Sequence, residues 1–192
     1  TPSFSLSELE RTVQRLKDKN SQGIIWESSP AKFSTLPFLL AANESLVSNK
    51  SIEDILRDFS NTLFGKASGI IYDLLKLWSD EKTVILSSGV QDNRYKLPLY
   101  FDMVNKASAL TADDVLVNRR MLELKAFLHY MLLYYNWIMD QHPPAEKTKK
   151  AAVLCEYLAK VHHLQLVNSY AVISTVVNKY DKADAFYASY NP

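Results

Sequence analysis

Residues 111–140 read TADDVLVNRRMLELKAFLHYMLLYYNWIMD, and this stretch decides the fold. Val117, Met121, Leu124, Leu128, Met131, Tyr135 and Ile138 recur at alternating steps of four and three. That is an apolar helical seam, and neither Pro nor Gly interrupts it. Thr111 is an N-cap candidate at its start, and Asp113 and Asp114 bring acids to the positive end of the helix dipole. About thirty residues at 1.5 Å each span roughly 45 Å. Phe127, Leu132, Tyr134 and Met139 carry apolar surface beyond the single stripe, so the second half of this helix is expected to contact several neighbours. His142-Pro143-Pro144 ends it.

Outward from this helix, the pattern on both sides is helical. Downstream, a helix from Ala145 carries Ala151, Leu154, Leu158 and Val161 on one face, and a last one covers about 168–179. Upstream, a helix from Pro98 to about Ala109 leads in, preceded by the longest irregular stretch, Asp80–Leu97. Before that, Ala67, Ile70, Ile71, Leu74, Leu75 and Trp78 mark one helix. Ser51-Ile52-Glu53-Asp54 starts another, with Ile55, Leu56, Phe59 and Leu63 inward and Gly65 as its stop. Pro37 suits the first turn of a helix reaching about Val47. At the chain's start, Ser5-Leu6-Ser7-Glu8 has capping-box spacing, and Leu6, Leu9, Val13 and Leu16 repeat helically up to Lys19. Asn20-Ser21-Gln22-Gly23 stops that helix, and Ile24-Ile25-Trp26 is the one good strand candidate. The expected fold is mainly α: a multi-helix bundle around one long helix at about 111–140, behind a short helix–strand unit.

Composition agrees. The chain has 192 residues, 47% of them apolar, enough for a sizeable core and too apolar for disorder. Only four are glycine, which disfavours an all-β or loop-rich chain. Net charge is +1 with acids and bases intermixed, so no basic surface points to nucleic acid or anionic membrane. Phe127–Met139, the most apolar run, is too short to span a bilayer. Thr1–Ser7 has neither the basic start nor the apolar stretch of a secretory signal. Cys155 is the only cysteine, which excludes an intrachain disulfide and a multi-cysteine zinc site.

No glycine-rich phosphate loop, GxSxG elbow or HExxH occurs, and no cofactor or metal is expected. His162 and His163 are adjacent, so on a helix their side chains diverge, and His129 reads as a satisfied structural histidine. Glu53-Asp54 and Asp113-Asp114 fall in helix first turns, where the dipole accounts for them better than acid–base chemistry does. Asp73, Asp102 and Glu123 are expected on solvated faces, and Cys155 as a buried inert thiol. Tyr130, Tyr134, Tyr135 and Trp137 could stack on sugars, but at helical spacing they read as core. Tyr180, Phe186, Tyr187 and Tyr190 read as docking onto the bundle or a neighbour. No catalytic residue is assigned. Glu27 is harder to place: it is either an exposed acid on an extended linker or an acid at the end of a strand, where an α/β barrel carries its active site.

Three stretches resemble a bacterial family of glycoside-hydrolase-like proteins, domain of unknown function 4838, found in gut Bacteroidetes among others. Leu9–Glu27, in which Leu16-Lys17-Asp18-Lys19 runs into Gly23-Ile24-Ile25-Trp26-Glu27, resembles the last helix and eighth strand of that family's (β/α)8 barrel. Leu36–Leu63, with its acid-rich Ser51–Phe59 segment, and the Phe64-Gly65-Lys66-Ala67 junction resemble the family's helical segments beyond the barrel. The resemblance covers roughly the first eighty residues at motif level. It implies a barrel remnant at 1–30 and a helical domain at 31–192. The first seven strands are not in this chain, so a catalytic acid pair would lie outside it.

By this resemblance the chain is the non-catalytic C-terminal helical domain of a protein of polysaccharide metabolism. Its partner is the N-terminal barrel of the same protein, with Trp26 and Glu27 nearest any oligosaccharide. A periplasmic or secreted location with a trimmed signal peptide is implied too. The alternatives are a free-standing helical protein–protein interaction module that uses the long-helix seam, and a small enzyme with a constellation in Asp80–Leu97.

Overall fold

The computed structural model describes residues 6–21, 36–80, 94–139 and 143–178. Among these are eight α-helices and no strand: α1 (Leu6–Asp18), α2 (Leu36–Val47), α3 (Ile52–Phe64), α4 (Ser68–Asp80), α5 (Leu97–Leu110), α6 (Val115–Ile138), α7 (Pro144–Val161) and α8 (Ser169–Asn178). Three short 3₁₀ turns, Gly65–Ala67, Arg94–Lys96 and His162–Leu164, adjoin them. The mainly helical expectation holds. The strand candidate Ile24-Ile25-Trp26 and most of the Asp80–Leu97 stretch lie outside the described residues.

The helix ends follow from local chemistry. Asn20 takes a left-handed φ of 54° after α1, its N–H bonded to Lys17 O at 2.9 Å and that of Ser21 to Leu16 O at 3.0 Å. These two bonds satisfy carbonyls that the helix end leaves open. Ser51 caps α3 by accepting from Asp54 N at 3.0 Å, and Gly65 closes it at φ 49°, a value costly for any residue with a Cβ. Asn168 caps α8 by accepting from Ala171 N at 3.0 Å.

The start of the long helix departs from the expectation. Thr111 does not cap it. Its hydroxyl donates back to Ala107 O at 3.0 Å, and the residue is buried at the end of α5. Asp114 is the cap, accepting from Val117 N at 3.0 Å, so α6 runs for 24 residues. Thr and Asp are both cap-forming residues; the one whose side chain turned back onto the preceding helix lost the role.

Successive helices pack against each other, α1 on α2 through to α7 on α8, with further contacts from α1 to α3 and α4 and from α3 to α6. One continuous core results. Leu9 and Val13 of α1 belong to it, and Lys17 Nζ donates to Ser48 O at 3.1 Å across the gap to α2. The seam of α6 is buried from Val117 to Tyr135. A second face, Phe127, Tyr130, Tyr134 and Trp137, is buried as well, so α6 is covered on two sides in its C-terminal half. Trp78 of α4 meets Tyr100 of α5 edge-on at 6.1 Å and Phe127 of α6 at 5.6 Å, joining three helices through ring contacts. Tyr157 of α7 donates to Ala126 O at 2.8 Å. The two residues stand nearly equally far from the α6–α7 turn, as antiparallel neighbours must.

No described helix is long and apolar enough to cross a membrane.

Candidate functional site

Trp26 and Glu27, the two residues singled out for substrate contact, lie outside the described residues, as do Tyr180, Phe186, Tyr187 and Tyr190. Chemistry among the described residues concentrates in three other places.

The first is a polar cluster on the α3–α4 hairpin. Glu53 and Arg57 stand one turn apart on α3, Tyr72 and Lys76 one turn apart on α4. Glu53 Oε1 accepts from the Tyr72 hydroxyl in a short hydrogen bond and from Lys76 Nζ at 3.1 Å. The Arg57 guanidinium lies 4.3 Å from the centre of the Tyr72 ring, a cation–π contact, and 3.9 Å from Glu53. The Tyr72 bond, with the Lys76 ammonium beside it, holds the Glu53 carboxyl below its ordinary range. Burial, reinforced by the carboxylate, pushes the Tyr72 phenol up to about 12. At neutral pH one group is therefore an anion already satisfied and the other a firmly protonated donor. Neither is poised to exchange a proton, and the cluster works as a clamp between two helices. Reading Glu53 only as a first-turn acid missed this. The available signal was two polar i,i+4 pairs on consecutive helices joined by a tight turn.

The second is the aromatic face of α6. Tyr130 and Tyr134 approach within 5.9 Å and Tyr134 and Trp137 within 5.6 Å, all buried, so these rings are core and offer no platform to a sugar. Burial raises the Tyr130 and Tyr134 phenols. Continued one turn toward the N-terminus, this face reaches Glu123, which was expected in solvent. It is instead only 7% exposed, with Arg119 Nε 3.7 Å away. The seam pattern concealed this because Glu123 belongs to the other buried face, in line with Phe127, Tyr130, Tyr134 and Trp137.

The third is a shallow open groove of about 380 Å³ where the 3₁₀ turn after α3 meets the α5–α6 turn, lined by Lys66, Thr111, Asp113, Asp114, Val115 and Leu116. Its polar groups are occupied. Lys66 Nζ bonds Asp113 Oδ2 at 3.1 Å, which lowers the Asp113 pKa; Asp114 caps α6, and Thr111 bonds Ala107. Nearby, Arg120 donates to Leu63 O at 2.6 Å and so satisfies a carbonyl at the open end of α3. Past this groove the first turns of α6 expose Val115 (82%), Leu116 (67%) and Leu122 (60%).

Of the described histidines, His129 lies on α6, and His162 and His163 lie together in the 3₁₀ turn after α7. His129 is exposed, with its ring 4.9 Å from that of Tyr157. His162 Nδ1 lies 3.0 Å from Ala159 O, and the His162 and His163 rings are nearly perpendicular at 6.1 Å. No group of three or more His, Cys, Asp or Glu that could hold a metal ion occurs among the described residues. Cys155 is buried and its thiol is pushed up to about 11 by that burial, so the thiolate needed for nucleophilic attack is scarce at neutral pH.

No family model, curated protein or solved structure matches this chain.

Proposed function

We propose that this chain is the C-terminal helical domain of a glycoside-hydrolase-like protein of polysaccharide metabolism, of the kind its first eighty residues resemble. In this reading it buttresses a (β/α)8 barrel, and Trp26 and Glu27 lie nearest the glycan. The supporting observation is how the described residues spend their chemistry. The acids of the polar cluster and groove hold structural partners, the aromatic groups of α6 are core, and no cleft among them brings free catalytic groups together. A helical body that supports chemistry carried elsewhere fits that pattern. The packing of α1 into the same core also suits a last barrel helix that docks onto the domain behind it.

The test begins with the native gene: upstream of Thr1 it should encode the seven missing strands and the six helices that connect them, and an upstream sequence without them overturns the proposal. Glycan arrays probed with that longer protein should show binding that falls in Trp26→Ala and Glu27→Gln. The chain alone should leave chromogenic glycosides intact.

A second reading, a free-standing interaction module, draws on the exposed Val115, Leu116 and Leu122. The seam that was to mediate association is buried within the chain itself, so any partner would have to use this other strip. Sedimentation velocity separates the cases: a stable dimer abolished by Leu116→Glu favours the module.

A further inference from the structure

We draw no further inference here: the strongest candidate, the exposed apolar strip of Val115, Leu116 and Leu122 along the first turns of α6 beside the shallow groove, carries nothing because nothing in the structure shows what covers it.

Discussion

Replacing Leu128 and Leu122 by alanine, one at a time, makes the same chemical change twice on the same helix, six residues apart. Leu128 is 0% exposed and Leu122 is 60% exposed. At Leu128 the change removes three buried carbon centres, worth about 2.4 kcal/mol in transfer energy at roughly 0.8 per methylene. It also leaves a cavity between α6 and its neighbours, and a close-packed core relaxes only in part, so the total cost should reach about 3–4 kcal/mol. At Leu122 under half of the side chain is buried, no cavity forms, and alanine is the better helix former, so the cost should stay below about 1 kcal/mol. Urea unfolding followed by far-UV circular dichroism measures both. With an m-value of about 2 kcal/mol/M, Leu128→Ala should lower the midpoint by about 1.5–2 M and Leu122→Ala by less than about 0.5 M. Equal losses at the two sites would refute the reasoning. A large loss at Leu122 would mean that the strip is covered in solution. A small loss at Leu128 would mean that the seam does not form the core.

Three further outcomes are expected. Gly65→Ala should destabilise by about 1–3 kcal/mol because φ 49° is strained for alanine, whereas Gly69→Ala, inside α4 with open space around the new methyl, should stabilise by about 0.5–1 kcal/mol; thermal melts of both variants check the opposite signs. The Glu53–Tyr72 clamp should give a plateau in the pH profile of stability, seen as the difference between the wild type and Tyr72→Phe. Glu53 is depressed, so its contribution is complete above 4.5 and lost as pH falls through its lower folded value. Tyr72 is raised, so its contribution is complete below 10 and lost as pH rises toward about 12; a difference that changes between pH 6 and 9 would contradict this. Tyr100→Phe should be neutral or stabilising by up to about 1 kcal/mol, because its buried hydroxyl has no hydrogen-bond partner among the described residues; a clear loss of stability on denaturant titration would show that the hydroxyl is bonded.

The helices were legible because the 3.6-residue period and the Pro, Gly and Ser/Asp/Asn punctuation coincide. Ser51 and Gly65 act where the sequence places them, while the Pro143-Pro144 pair, read as the end of α6, opens α7 instead. What escaped depended on the other side of a contact. Thr111 and Asp114 are comparable caps in sequence, and the choice between them rests on Thr111 bonding back into α5. Glu123 looked solvated because the seam defines one face, while the burial of the second depends on what packs there. The Glu53 clamp required the register of α3 against α4, which no single helix encodes. The proposed substrate contact at Trp26 and Glu27 rests on the strand-end reading and on resemblance, since a dipeptide has no spacing pattern of its own.

The neighbour-on-neighbour packing of the helices has a kinetic consequence. Apart from the longer α1–α2 and α4–α5 connections, each docking event closes a short loop, so little chain entropy is lost before contact is made. Such a chain should fold on the micro- to millisecond scale of helical proteins, growing helix by helix from its best-covered member, α6. The same order predicts how it comes apart under native conditions. Chiefly tied to α7, α8 should open first and exchange its amide hydrogens earliest, while the two-sided C-terminal half of α6 retains its protons longest.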